Sequence, residues 1–529
     1  MTVPLTRPLT LIAVLAISAL PIRAQQFTAD NLPTRAESTD FIETSSYDDV
    51  MSFLRTIDGA SDRAHLETMG YTSEGRAIPL LVLGNVPDGS PEAVMGSGLL
   101  RVYLQGNIHG GEVPGKEALQ MLVRSIVSGD SPAWLDRMVL LVTPIYNADG
   151  NERVQLTNRP RQHGPIGGMG QRPNAQDYDL NRDHMKLDSP EARSVVGMMN
   201  RYDPHVSVDL HTTNGSRHAY MITYSSPMHP GTDAGIVNLI KEEAFPLITE
   251  RVREQDGEEF YYYGNASNRG GEMGWYTFDY RPRFNNNYIG LRNRIAILSE
   301  AYAYATFEER VYSTRRFVEE ILNWAWESGP AIRAAIAAAD ASSVGMSLPL
   351  RAVPEGATTM SDILMGEVIE ERHPYTGQTI LRRQDVINPV QMREYGTFQG
   401  TDIETVPTEY LIPMEVATAI DRMLGHGIEM EEVPAGTSVA GQVFRIDSMS
   451  VAPRPFQGHN EREIFGSWQA GTVTLAQGGY RVRVAQPLGR LAFYLLEPRA
   501  SDGLANWALL DRYLENTTEY PIYRVPAGR

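Results

Sequence analysis

The sequence predicts an α/β domain built on a central, mostly parallel or mixed sheet flanked by helices, followed by a strand-rich α+β or sandwich-like domain. From Leu99 onward, short apolar strands alternate with amphipathic helical patterns, and several of these strands end in a polar residue able to do chemistry. Past about Ser342 the rhythm changes to short alternating runs. The 529 residues also exceed one ordinary domain.

At the N-terminus, Arg7 precedes an apolar run from Leu9 to Leu20, then Pro21 and the small Ala24. That is the order of a secretory signal peptide cut after Ala24, and the run is short for a bilayer span. The predicted parts are therefore 1–24 as signal peptide, 25–341 as catalytic domain and 342–529 as accessory domain, with no stable membrane span after cleavage. Cysteine is absent. In an exported protein this suits a bacterial periplasm or medium, and it leaves His, Asp and Glu to hold any metal, which points to zinc. A formal charge of −18 argues against nucleic acid as a partner.

Ser45 or Ser46 caps a predicted helix to about Ile57, and a hairpin joins His65–Tyr71 to Ala77–Leu83 around Ser73-Glu74-Gly75-Arg76. Strands are expected at Leu99–Gln105, Met138–Pro144, His205–Leu210 and Ile295–Ser299. Helices are expected at Pro114–Val127, Ser189–Asn200 and Ala234–Arg253. A long helix starts at Thr306, with Glu309 completing a capping box, and is expected to end by Gly329-Pro330. In the last part, Val443–Ile446, Thr472–Leu475, Tyr480–Val484 and Leu491–Leu496 read as strands. Pro413–Leu424 and Leu504–Leu514 read as helical.

The pair His109 and Glu112 is an HxxE pattern, and with 11 histidines about one such match arises by chance. A second copy, His426-Gly427-Ile428-Glu429, follows a helix capped by Gly425 and reads as a surface connection. Context separates the two. His109 follows a hydrophobic strand, and Gly110 and Gly111 allow a sharp turn that brings Glu112 back to the same point, at the carboxyl end of the sheet where α/β folds bind ligands. Two further strands deliver His211 and Glu300 to that edge. A catalytic zinc takes three protein ligands and a water, so His109, Glu112 and His211 fit as ligands of one zinc per chain. Glu300 fits as general base toward a metal-activated water.

These pieces, with Asn147-Ala148-Asp149-Gly150, Asp179-Leu180-Asn181-Arg182 and Ile297-Leu298-Ser299-Glu300, resemble a zinc carboxypeptidase of the M14 metallopeptidase family, in family order across roughly residues 45–325. The resemblance implies that Asn181 and Arg182 hold the substrate's terminal carboxylate, for which an arginine fork is suited. It implies that Asp179 orients His109, and that an arginine between the Asn-Ala-Asp-Gly turn and the Asn-Arg pair stabilises the oxyanion. Arg159 and Arg161 both fall near that place, with Arg161 favoured. The family's active-site tyrosine lies within the aromatic stretch Tyr261–Tyr288, with Tyr288 as candidate. Proline is replaced by Ala148 in the Asn-Ala-Asp-Gly turn, and Thr212-Thr213-Asn214 follows His211 in place of the common serine- and tyrosine-containing pattern.

The expected activity is removal of C-terminal residues from exported or environmental peptides with a free C-terminus. The alternative keeps the zinc but makes the chain an amidase or deacylase of cell-wall peptides or N-acyl amino acids. A non-catalytic envelope binding protein is disfavoured by the joint retention of His109, Glu112, His211 and Glu300.

Overall fold

The structure is a computed structural model of the chain and describes residues 32–341 and 343–528; the expected signal peptide, 1–24, lies outside the described residues. Ten strands come first: β1 (Ala64–Tyr71), β2 (Ala77–Leu83), β3 (Leu100–Gly106), β4 (Met138–Thr143), β5 (Val206–Thr212), β6 (Ile222–Ser225), β7 (Phe260–Tyr262), β8 (Asn265–Arg269), β9 (Glu272–Tyr276) and β10 (Ile295–Ala301). Eight of them form one mixed sheet in the order β1-β2-β4-β3-β5-β10-β6-β7. Its centre, β4-β3-β5-β10, is parallel throughout, while β1, β2 and β6 run antiparallel to their inner neighbours. Strands β3, β4 and β5 are buried at every position; β4 accordingly reads as an apolar run, whereas β3 and β5 bury polar residues such as Gln105, Ser207 and Asp209 among apolar ones.

Both faces of this sheet are covered. Val102 and Leu104 of β3 pack with helices Tyr47–Ala60, Pro114–Ser128 and Phe307–Asp340 on one side. Tyr103 faces the other side, toward helix Pro190–Tyr202 and the later helices Ala417–His426 and Gly489–Leu496. The second core is thus continuous from the first part of the chain into the last.

Strands beyond residue 343 also join the first part directly. Asn388–Tyr395 runs parallel to β9 and, with Met360–Met365 and β8, makes a four-stranded sheet. A six-stranded sheet contains a long hairpin, Thr437–Val451 with Arg462–Leu475. Among the described residues no helix is long and apolar enough to cross a membrane.

Three local expectations give way to packing. The helix from Thr306, with its capping box to Glu309, continues through Pro330 to Asp340. A proline inside a helix costs about 3 kcal/mol, and here Ile332, Ile336 and Ala339 beyond it are buried in the core and offset that loss. Leu491–Leu496 is helical rather than a strand. Every residue of Gly489–Leu496 is buried, so no polar face marks the period. Of Leu504–Leu514, only Asp511–Leu514 is α-helical.

Close approach also fixes the helix that follows the His109–Glu112 turn. A Cβ on Gly115 would lie 2.6 Å from Leu210 Cβ, whereas one on Gly59 would meet nothing within 4 Å. Gly115→Ala is expected to lower unfolding stability by about 1–3 kcal/mol, and Gly59→Ala to raise it by about 0.4–1 kcal/mol. Urea denaturation of both variants checks the contrast.

Candidate active site

The strand that leads to His109 ends at Gly106, and the chain turns at Asn107, which has φ +64°. The Asn107 amide donates to the carbonyl oxygens of His109 and Gly110, at 3.3 and 3.1 Å, and Asn147 donates to that of Ile108 at 3.1 Å. Gly110 and Gly111 serve close approach. A Cβ on Gly110 would lie 2.3 Å from the Gly150 carbonyl carbon, and one on Gly111 would lie 2.5 Å from the Gly170 oxygen. The Ser73–Arg76 and Asn147–Gly150 motifs brace each other behind this turn. Asp149 accepts from the Thr72 hydroxyl at 2.8 Å, the Glu74 amide at 3.0 Å and Arg76 at 2.7 Å.

His211 arrives on β5, and the parallel register sets it beside Glu300 of β10. Donor atoms of His109, Glu112 and His211 then lie within 4.8 Å of one another. His109 Nδ1 is 2.9 Å from one Glu112 oxygen, His211 Nδ1 is 2.9 Å from the other, and the two Nδ1 atoms are 3.3 Å apart.

Each outer nitrogen is committed. His109 Nε2 lies 3.0 Å from Asp179, and His211 Nε2 lies 2.9 Å from Asp209. An ionised carboxylate only accepts, so each Nε2 carries the ring proton and each Nδ1 turns its lone pair inward. Two nitrogen lone pairs and a carboxylate converging in this way repel one another unless a cation sits among them. The donor set, two imidazoles and one carboxylate, is that of a catalytic zinc site and fits that ion.

The electrostatics agree. Burial opposes the charge on His211, but Asp209 and Glu112 hold its pKa well above the usual value, so a proton is drawn to the place a cation would take. Burial would likewise raise Glu112, yet Arg159 and His109 keep it well below the ordinary carboxylate range. Asp179 is also held low against its burial, by His109, Arg182 and Arg172.

These donors line a cleft of about 120 Å³ together with Arg172, Asn181, Arg182, Tyr263, Phe278, Phe284 and Glu300. Glu300 Oε2 is buried with no hydrogen-bond partner among the described residues. Burial, reinforced by Glu112 and opposed by His211, pushes its carboxyl up to about 8. The Arg182 guanidinium lies 3.9 Å from the Phe284 ring centroid and donates to the Asn181 carbonyl oxygen. The Asn181 side-chain oxygen accepts from the Asn285 N–H at 2.8 Å.

Two expected residues lie elsewhere. Arg161 is exposed and its carbonyl oxygen accepts from the Leu381 N–H, so it does not line the cleft. Arg159 instead reaches Glu112, and Arg172 lies 3.6 Å from it. Tyr288 is fully buried, with its hydroxyl 2.8 Å from His426 Nδ1, and the phenol at the cleft is that of Tyr263. The same contact explains the second HxxE copy. His426 is buried at a helix end, held by Tyr288 and the Met185 carbonyl oxygen, and is not on the surface.

The reading of the sequence missed Asp209, although it stands two residues before His211 on one strand and so shares its face. Arg172 also sits between the two motifs that bracket the expected arginine, but deeper along the loop than Arg161. Arg310 pins that loop by donating to the carbonyl oxygens of Gly164 and Ala303.

Residues 50–281 match the family described as zinc carboxypeptidase. Carboxypeptidase 2 of Trichophyton tonsurans is 23% identical, covering 96% of this chain and 92% of its own length. Carboxypeptidase 2 of Trichophyton rubrum is 22% identical over the same shares. Among solved structures, a metallo-carboxypeptidase from Burkholderia cenocepacia has a TM-score of 0.40 at 19% identity, covering 53% of this chain and 69% of its own.

The carboxylate behind His211 gives a direct test. Asp209→Asn is expected to weaken zinc binding by about 10–100-fold, measured by competition with a chromophoric chelator, with a far-UV circular dichroism spectrum like that of the parent.

Proposed function

We propose that this chain, whose residues 50–281 match the family described as zinc carboxypeptidase, hydrolyses the last peptide bond of peptides bearing a free C-terminal carboxylate. The observation that carries this reading is that Arg182 shares one cleft with the three metal donors and the partnerless oxygen of Glu300. His109, Glu112 and His211 would hold the zinc, which when bound would supply Lewis acidity to the scissile carbonyl and lower the pKa of a water toward about 7.

The chain's own residues do the rest. Arg182 takes the terminal carboxylate through its planar fork, with Asn181 behind it, and so sets the bond to be cut relative to Glu300. Glu300 removes the proton from the attacking water and returns it to the departing amine. Arg172, directed into the cleft between Asp179 and Glu112, donates to the oxygen that gains negative charge, in place of the Arg161 expected from the motif order. Aromatic walls from Tyr263, Phe278 and Phe284 exclude water around the terminal residue.

In this account residues 25–341 are the catalytic domain and 342–529 an accessory domain. Residues 1–24 direct export to a periplasm or the surrounding medium. Relatives named carboxypeptidase 2 align along 96% of the chain, across both parts.

Two variants test the roles. Glu300→Gln is expected to lower kcat by about 10²–10⁴-fold, with zinc content and KM close to the parent's. Unchanged turnover would remove Glu300 from the reaction. The parent enzyme should cleave a free-ended peptide far faster than its C-terminal amide, and Arg182→Met should abolish most of that preference. Both comparisons are read by steady-state kinetics on the matched acid and amide.

A further inference from the structure

The hairpin Thr437–Val451/Arg462–Leu475 carries a loop that reaches the metal centre from the far end of the chain. At its tip, Phe456 and His459 exchange backbone hydrogen bonds of 2.8 and 3.1 Å across Gln457-Gly458. Both central residues have positive φ, +51° and +83°, the geometry of a type I′ turn. Such turns favour asparagine, aspartate or glycine at the first central position, and an unbranched glutamine there is strained. Strain of this kind persists where the surroundings hold it in place.

The surroundings do hold it. His459 Nε2 lies 2.6 Å from Asp188, Phe456 stacks on Trp507, and Glu461 pairs with Arg283. With the tip so anchored, Gln457 Oε1 accepts the backbone N–H of Asp179 at 2.8 Å. Asp179 is buried and begins the short turn Leu180–Arg182. Its carboxylate accepts from His109, Arg172 and the Asn181 N–H, so its side chain has no spare geometry with which to compensate.

We propose that Gln457 is a positioning residue for the metal centre, holding the Asp179 backbone so that its carboxylate fixes the ring of His109. The argument rests on the zinc site proposed above. Glutamine is the residue whose reach the contact requires. Asparagine would suit the turn better but is one methylene shorter, so the sequence keeps a poorer turn residue in return for the contact. The hairpin is therefore part of the catalytic unit rather than an independent appendage.

Two variants of the full-length chain separate this role from a purely structural one. Gln457→Asn keeps or improves the turn and loses the reach. Gln457→Met keeps the length and the backbone strain and loses the acceptor. Apo protein of each is titrated with zinc against a chromophoric chelator, and thermal midpoints are recorded alongside. Both variants are expected to bind zinc about 3–10-fold more weakly than the parent, below the loss that removing a direct histidine partner causes. The Gln457→Asn midpoint should equal or exceed the parent's. Zinc affinity within twofold of the parent in both variants overturns the proposal, as does a loss confined to a variant whose midpoint has fallen. A parent apo protein that takes up no zinc overturns the site assignment itself, and this role with it.

Discussion

Two buried carboxylates, Asp179 and Asp209, each claim the outer proton of one histidine, and the rest of the site follows from where those protons sit. With Nε2 spent, the two Nδ1 lone pairs point at each other and at Glu112 across about 3 Å. In a low-dielectric interior this is tenable only around a positive charge. The fold must therefore bring three separate segments to one point and hold a carboxylate behind each ring.

It does so with two devices. For His211, the strand itself suffices, because Asp209 and His211 alternate onto the same face of β5 and the register sets Glu300 of β10 alongside. For His109, which lies on a turn, the supports come from further away. Asn107, Asn147 and the glycine contacts fix the turn, and Asp179 comes from a loop that is itself held by Gln457. Rigid strands need few helpers, whereas turns need many.

That difference also explains what the sequence discloses. The parallel strands are legible because both of their faces are covered, so that apolar residues dominate the stretches that lead to His211 and Glu300. Asp179 is legible from the motif it begins. Tyr263 and Arg172 are not, since each lies among many residues of its own type on loops whose paths no periodicity records. Tyr288 misleads because its helix turns it toward His426, a distant partner that no local pattern announces. Gln457 stands 278 residues from Asp179, a contact that only the assembled hairpin creates. The helix through Pro330 and the buried helix Gly489–Leu496 mark places where core packing outweighs local preference.

Metal-dependent removal of residues from free C-termini is the central proposal for this chain. Digestion of a defined peptide library read by mass spectrometry, with zinc, with chelator, and with zinc restored, tests that claim most directly. The account predicts products shortened from the C-terminus one residue at a time, lost on chelation and recovered with zinc. Predominantly internal cuts, or trimming that persists without metal, would contradict it.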